Sequence, residues 1–460
     1  MKDIRNLNNF LVVGAGRSGE AASKLLIRNG KNVILFDGGE KFSPEEFIKK
    51  NPELKSIKIL TGELNSEDIK TVDAAVLSPG VPLDSKDALT IKDAGIKIIG
   101  EVELAYGFSD GKTVGITGTN GKTTTTALTG ELMKTFYPDV HVVGNIGIPY
   151  TTIADETGKD SVTVAEISSF MLETTDEFHP EVTAILNITP DHLDRHHSME
   201  NYIKAKENII NRQTKDDTCV LNYEDPELRR FAEETERNGR GPKVVFFSSE
   251  RELNPGLYVK DGHIFLSKDG SVTDVIDVHD LQILGKHNYE NAMAAIAMAD
   301  ALSVPMDKIR EGLKAFTAVE HRIEYVCEKR GVRFYNDSKG TNPDAAIKAV
   351  EAMDRPTILI GGGYDKKSSY DEWIESFGDK VKKLVLIGVT KEKIAECAES
   401  HGFKEYEFAE TLEEAIDKCY EAAKSGDAVL LSPACASWDM FKSFEERGRI
   451  FKEYARSLSE

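Results

Sequence analysis

The segment Gly115-Ile-Thr-Gly-Thr-Asn-Gly-Lys-Thr-Thr124 constrains this chain more than any other. An apolar, strand-like lead-in, Thr113-Val-Gly-Ile116, runs into it, and a helix-compatible run from Thr124 to Met133 leaves it. Glycines between a strand and a helix let backbone N–H groups converge on phosphate oxygens, and the helix N-terminus adds positive potential. Lys122 is then placed to reach β- and γ-phosphates, and the Thr123 hydroxyl to ligand Mg²⁺. The general pattern asks for a glycine where this chain has Ile116, and Gly115 and Gly118 bracket that position. The competing reading is a plain strand-to-helix turn that ends in Gly-Lys-Thr. The loop's context favours a bound nucleoside triphosphate.

Around this loop the chain alternates strands and helices. Phe10–Val13, Asn32–Phe36, Ala74–Leu77 and Ile96–Ile99 read as strands, and Glu20–Asn29 as a helix. This is a βαβ arrangement, hence a parallel sheet with helices on its faces. Gly14, Gly16 and Gly19 form a GxGxxG after the first strand, and Asp37 ends the second, where dinucleotide folds carry a ribose-binding acid. Alone, that pattern reads as a nicotinamide dehydrogenase; a second nucleotide loop in the same chain makes that reading awkward. Val140–Val143, Ser161–Ala165 and Val182–Leu186 are strands of a second region. Residues 215–280 look polar and turn-rich, with short β-like runs at Lys243–Phe247 and Leu257–Lys260, and a helix rich in Ala and Met opens at 284–292. In a third region Val332–Tyr335, Thr357–Ile360 and Ala428–Leu431 each run directly into a polar cluster, as ligand groups do at the carboxyl ends of parallel strands. Leu384–Ile387 is a further strand there.

Composition narrows the partners. A net charge of −20 argues against nucleic acid, whose phosphates need clustered Lys and Arg. Neither a signal-peptide core at the start nor a long apolar run is present, so no membrane span is expected. Five scattered cysteines without a CxxC pair fit a reducing cytoplasm.

Three further stretches carry titratable groups. Glu166 follows the strand Ser161–Ala165, where a second Mg²⁺ ligand is expected beside a phosphate loop; an exposed loop glutamate is the alternative. Asn187-Ile-Thr-Pro-Asp-His-Leu-Asp-Arg-His-His197 is rich in His and Asp but lacks HExxH and a cysteine partner, so zinc is disfavoured. A hard cation does not favour imidazole either, and residues alone leave this stretch open. Lys206 reads first as a surface helical lysine. An ammonium cannot ligand a metal, but the same nitrogen carboxylated by CO₂ could, given a pKa lowered by neighbouring cations.

Taken together, residues 115–124, 143–147, 165–173, 187–206, 285–291, 336–342 and 432–448 resemble the Mur ligase family of ATP-dependent amide ligases, over essentially the whole chain. Gly144-Asn-Ile-Gly147, Asn336-Asp-Ser-Lys-Gly-Thr-Asn342, Leu431-Ser-Pro-Ala-Cys-Ala-Ser437, Phe441-Lys-Ser-Phe444 and Glu446-Arg-Gly448 look like its D-glutamate-adding branch. The resemblance implies an α/β protein of three domains: a Rossmann-like UDP-binding domain (1–100), a central P-loop ATPase-like domain (101–318) and a Rossmann-like C-terminal domain that receives the amino acid (319–460). It implies a cytoplasmic, monomeric enzyme of peptidoglycan precursor synthesis, with ATP and Mg²⁺ as cofactors and UDP-N-acetylmuramoyl-L-alanine and D-glutamate as substrates.

By the same resemblance, Gly14, Gly16, Arg17, Ser18, Asp37, Ser78, Pro79 and Gly80 hold the UDP substrate. Gly118, Thr119, Asn120, Gly121, Lys122, Thr123 and Thr124 bind ATP, with Asn288 and Asn291 on the adenine side and Arg322 and Asp337 from the third domain. Thr123, Glu166, His192 and a carbamylated Lys206 hold Mg²⁺, and Asn145 faces the substrate carboxylate. Lys122, His192, Lys206 and Asn145 are the implied catalytic set. Lys339, Thr341, Lys366, Ser437 and Phe444 receive D-glutamate, with Lys367 as the alternative to Lys366. Gly38-Gly39 stands where the family often has Thr after the first-domain acid.

Overall fold

A computed structural model describes residues 3–459. Three sheets follow one another along the chain. The first has five strands in the order Lys58–Thr61, Asn32–Asp37, Asn9–Val13, Ala74–Leu77, Lys97–Gly100, all parallel. Its central strands Asn9–Val13 and Ala74–Leu77 are almost wholly apolar because both faces are covered. Phe10 and Val12 enter one core with Leu25 and Val76, while Leu11 and Val13 enter another with Phe36 and Ile91. The order reverses beside Asn9–Val13, so its C-terminal glycine turn opens into the crevice where α/β sheets bind ligands.

The second sheet has nine strands. Lys112–Thr117 lies between Val182–Ile185 and Val162–Glu166, parallel to both, with Val140–Gly144 outside the latter. This sheet is longer than expected, because the turn-rich stretch 215–280 holds more structure than its polarity suggests. It contains the strand Thr218–Asn222, the helix Pro226–Asn238 capped by Asp225, and three strands at the sheet's far edge: Gly256–Lys260, His263–Lys268 and Ser271–Asp277. Asp261-Gly262 and Asp269-Gly270 join these edge strands with positive φ at both positions, the twist that tight hairpins require. Leu257–Lys260 was expected to be β-like; His263–Lys268 and Ser271–Asp277 are partly exposed and mix polar with apolar residues, which hides them in a reading by polarity.

The third sheet has six strands in the order Glu324–Lys329, Val332–Asn336, Ala428–Leu431, Thr357–Gly362, Val381–Ile387, Tyr406–Phe408, parallel except for the first pair. Leu359, Leu384 and Leu430 pack on one face with Trp373, and Ile358, Val385 and Val429 on the other with Phe451. By compactness the chain forms two units: residues up to Ile276 with Glu290–Leu313, and Asp277–Tyr289 with the chain from Lys314 onward. No helix among the described residues is long and apolar enough to cross a membrane.

Candidate active site

The phosphate loop is built from behind. Gly115 lies inside the strand Lys112–Thr117, against Ile209 and Pro180, so the loop proper spans Gly118–Gly121. Asn187, just past the strand Val182–Ile185, accepts from the Thr119 N–H through its carbonyl (2.9 Å) and from the Asn120 N–H through its side chain (2.8 Å). The Thr119 hydroxyl meets Tyr202 Oη at 3.0 Å and accepts from the Thr189 N–H at 3.0 Å. Gly121 has φ 84°, and a Cβ there would lie 2.3 Å from Asn291 Oδ1. Only glycine fits that turn, and it offers no side chain to cap the helix Lys122–Lys134. The N–H groups of that first turn, with Thr123 and Thr124 half-buried on it, therefore present an anion site. Asn291 accepts from Thr125 Oγ1 (3.1 Å) and braces the loop. Asn288 is also buried, but it belongs to the other compact unit and donates to Leu284 O at 2.7 Å.

Two lysines meet at this loop. Lys122 Nζ folds back onto Gly118 O and Thr119 O, both at 2.8 Å. Lys206 Nζ donates to the same Gly118 carbonyl at 2.8 Å and lies 4.6 Å from the Tyr202 ring centroid. Lys206 is no surface residue: it retains 2% exposure, because the helix Met199–Glu207 turns Tyr202, Ile203 and Lys206 inward. Its pKa falls to about 7, first through burial and second through Lys122, with Asp191 opposing. The cause anticipated from sequence, neighbouring cations, is thus the smaller contribution; loss of hydration dominates.

Glu166 ends its strand buried. Its Oε1 accepts from Asn145 Nδ2 at 2.7 Å, and Asn145 N donates to the Glu166 carbonyl at 2.9 Å. The second carboxylate oxygen, Oε2, is buried with no hydrogen-bond partner among the described residues. A carboxylate oxygen in that condition is stabilised by a cation. His192, 51% exposed on its side chain, starts the short helix Leu193–His196 with φ 53°; its ring packs on Phe170 and lies 3.3 Å from Asp191. His196 is different: buried between Ser169 Oγ (2.9 Å) and Glu173 (3.2 Å), it is a structural tie, and burial pushes its pKa down.

At the first glycine turn a Cβ on Gly19 would lie 1.8 Å from Gly14 O, so helix and turn are in contact, whereas Gly16 has open space above it. Asp37 is engaged in the turn itself, accepting from Ala15 N (2.8 Å) and Gly39 N (2.9 Å). Gly38 leaves no room for a side chain, because its Cβ would meet Gly62 O at 2.9 Å. Ser78 Oγ donates to Gly14 O at 3.2 Å. Arg17 reaches the carbonyl of Gly147 in the Gly144–Gly147 turn, and Ser18 is half-buried beside it. Ser78, Pro79 and Val81 line a narrow cleft with Phe170, Glu173 and Arg195. Gly80 is exposed at its approach.

The third sheet gathers its own cluster. Lys339 Nζ lies 5.5 Å over the Phe444 ring; Lys366 Nζ donates to Thr341 O at 3.3 Å and lies 5.4 Å over Trp438. Lys366, rather than Lys367, is therefore the lysine aimed at the Lys339–Thr341 loop. Ser437 is buried one residue before Trp438, which is 64% exposed. Asp337 accepts from Ser432 Oγ (2.7 Å) and the Ile323 N–H (3.3 Å), and burial lifts its pKa to about 7 against the pull of Arg322 and Arg447. Arg322 sits between His321 and Ile323, both at positive φ, a rare conformation for such residues.

Sequence reasoning missed Asn187, Tyr202, Trp438 and, above all, Arg447. Arg447 is fully buried and donates to Ser338 Oγ (3.0 Å), Ser338 O (2.8 Å) and Cys435 O (3.2 Å). It ties the loop carrying Lys339 to the loop carrying Ser437. Its place in the Glu446-Arg-Gly448 string was the only available signal, and nothing local distinguishes it from a surface helical arginine.

The chain matches the Mur ligase MurD-like N-terminal domain over residues 8–100, the Mur ligase middle domain over 116–299 and the Mur ligase glutamate ligase domain over 321–435. It is 57% identical over 451 residues to the UDP-N-acetylmuramoylalanine--D-glutamate ligase of Lachnoclostridium phytofermentans, covering 98% of each chain. It is 54% identical to the enzyme of the same name from Lachnospira eligens, covering 99% of this chain and 100% of that one. Its fold matches the crystal structure of MurF from Acinetobacter baumannii with a TM-score of 0.61 at 17% identity, over 96% of this chain and 93% of that one. A three-domain α/β architecture, near-full-length identity and a phosphate loop with its lysine pair agree: this chain belongs to the Mur ligase family.

Proposed function

We propose that this chain is an ATP-dependent ligase that joins D-glutamate to UDP-N-acetylmuramoyl-L-alanine through an acyl phosphate, a step of peptidoglycan precursor synthesis. The observation that carries this reading is the convergence of Lys122 and Lys206 on the Gly118 carbonyl. A nicotinamide enzyme has no use for two amines at a phosphate loop. Residues 1–100 form the UDP-substrate domain, 101–318 the ATP domain and 319–460 the amino-acid domain, in a cytoplasmic monomer.

The chemistry accounts for the residue set. A carboxylate does not condense with an amine unaided, so ATP first phosphorylates the alanyl carboxylate, releasing ADP; the amine of D-glutamate then attacks and phosphate leaves. Gly118–Thr124 cradles the triphosphate, and Lys122 moves from the loop carbonyls to the phosphates. Thr123, Glu166, His192 and a carbamylated Lys206 would hold Mg²⁺, and the orphan oxygen of Glu166 fits that role. Bound there, Mg²⁺ neutralises phosphate charge during transfer. Asn145, which orients Glu166, also faces the substrate carboxylate. Gly14–Ser18, Asp37 and Ser78–Gly80 hold the uridine diphosphate, and Asn288, Asn291, Arg322 and Asp337 serve ATP. Lys339, Thr341, Lys366, Ser437 and Phe444 receive D-glutamate, whose two carboxylates suit two lysines.

Phosphate release with ATP, Mg²⁺ and UDP-N-acetylmuramoyl-L-alanine tests this, with D-glutamate, L-glutamate, L-alanine or nothing added. Release is expected with D-glutamate alone. No release with any amino acid, from folded protein supplied with bicarbonate, overturns the reading.

Two substitutions probe its parts. Glu166→Gln keeps the Asn145 contact within reach but removes the charge, so the Mg²⁺ concentration for half-maximal rate should rise about tenfold or more. An unchanged Mg²⁺ dependence would remove Glu166 from the metal site. Arg447→Leu strips Ser338 and Cys435 of their donor and should cost about 3 kcal/mol in urea unfolding. It should also raise KM for D-glutamate while leaving KM for ATP alone; Arg447→Lys should recover only part. Equal changes in both KM values would make Arg447 a general stabiliser.

A further inference from the structure

Away from this site, a second set of ligand-type side chains converges in the C-terminal part of the chain. Cys397 and His401 lie four residues apart at the end of the helix Lys391–Ser400, with His401 as its C-cap. Asp371 and Glu375 lie four residues apart on the helix Asp371–Glu375. That spacing puts each pair on one helical face.

Asp371 Oδ1 is 3.7 Å from Cys397 Sγ and 3.6 Å from His401 Nε2, and Glu375 Oε1 is 3.4 Å from His401 Nε2. The Asp371, Cys397 and His401 ligand atoms all lie within 4.8 Å of one another. A tetrahedral ion with bonds of ~2.0 Å to oxygen and nitrogen and ~2.3 Å to sulfur has ligand–ligand edges of roughly 3.3–3.6 Å. The Asp371–Cys397, Asp371–His401 and Glu375–His401 separations, at 3.7, 3.6 and 3.4 Å, lie near such edges.

Two other contacts aim the ligands. His401 Nδ1 lies 3.0 Å from the Cys397 carbonyl and 3.2 Å from Ser400 Oγ, which holds the ring with Nε2 toward the carboxylates as the atom available to an ion. Ser369 Oγ holds Asp371 Oδ2, leaving Oδ1 for the group. An imidazolium–carboxylate ion pair would account for the histidine and the acids, but it has no use for a thiol on the same oxygen. Thiolate and imidazole together select zinc-class ions over Mg²⁺.

We propose that Asp371, Cys397 and His401, with Glu375 beside His401, form a binding site for a zinc-class divalent cation, independent of the ligase reading. Binding replaces the Cys397 S–H proton, which leaves to solvent, with a sulfur–metal bond, and the carboxylate and imidazole ligands donate lone pairs. The ion would clamp the helix Asp371–Glu375, which follows the Lys366 loop, to the helix Lys391–Ser400. That helix already holds the loop through Lys393 and Asp365 at 3.2 Å. Occupancy would therefore stiffen the loop that carries Lys366.

The test uses the metal-stripped full chain titrated with Co²⁺ and then Zn²⁺ in excess Mg²⁺. One equivalent of Co²⁺ should give a thiolate-to-cobalt charge-transfer band that Zn²⁺ displaces. Cys397→Ser should abolish the band, and His401→Gln should weaken Co²⁺ affinity about tenfold or more. Zn²⁺ should raise Tm in the wild type and in neither variant. No thiolate band, a band that survives Cys397→Ser, or the same Zn²⁺-induced Tm rise in all three proteins would each overturn the site.

Discussion

Lys122→Ala is expected to lower the turnover of ATP-dependent phosphate release by about 10³-fold, equivalent to ~4 kcal/mol of transition-state stabilisation. Lys122 Nζ now rests on two neutral carbonyls, Gly118 O and Thr119 O. A γ-phosphate offers the same ammonium acceptors of opposite charge. Phosphoryl transfer depends on positioning and charge neutralisation, so the loss falls on the chemical step. The KM for UDP-N-acetylmuramoyl-L-alanine should hold within about threefold, because the loop backbone is braced by Asn187 and Asn291 and not by this side chain. A turnover within tenfold of the wild type would mean that Lys122 does not serve the transferring phosphate.

Lys206→Met should abolish ligation to a similar extent and, at the same time, make the protein more stable. The wild-type amine is buried with a pKa of about 7 against an ordinary 10.5. Between those values the unfolded chain binds the extra proton and the folded chain does not, so wild-type stability rises with pH across that window. Below about pH 7 both states hold the proton and the folded state bears the full cost of a buried ammonium. Replacing Lys206 removes that cost, so the gain in Tm should be larger at pH 6 than at pH 9.5. An equal gain at both would show that Lys206 keeps an ordinary pKa. The same depression leaves a neutral amine to attack CO₂, giving a carbamate and a proton. Wild-type activity should therefore fall when CO₂ is stripped and return with bicarbonate, faster above pH 7 than below. Activity indifferent to CO₂ would exclude the carbamate.

Much of the fold was legible because its signals are local. Ala74–Leu77 and Ala428–Leu431 were read to the residue, since strands buried on both faces are short apolar runs bounded by turns. Leu257–Lys260 was read as a β-like run as well, but the last two strands of the second sheet, His263–Lys268 and Ser271–Asp277, were not, although Asp261-Gly262 and Asp269-Gly270 are turn signals in plain view. There the strands are half exposed, and polarity was mistaken for irregularity. The site divides the same way. Gly118–Thr124 is one contiguous string at a strand end, and Lys339 with Thr341, Lys366 and Phe444 lie in three other short strings, so each could be singled out from sequence. Asn187, Tyr202 and Arg447 act across 67, 83 and 109 residues of chain, and no short pattern contains both partners.

From its residues alone, then, this chain determined its alternation of strand and helix, the position of its phosphate loop and the types of side chain available at each strand end. Backbone periodicity and turn chemistry are properties of neighbours in sequence. Tertiary structure decided which of those side chains lose water. Lys206 is an ordinary helical lysine until the helix turns it beneath the loop beside Lys122, and Glu166 an ordinary glutamate until burial leaves one oxygen without a partner. Desolvation depends on every surrounding segment at once, so the reactive state of both groups exists only in the folded molecule.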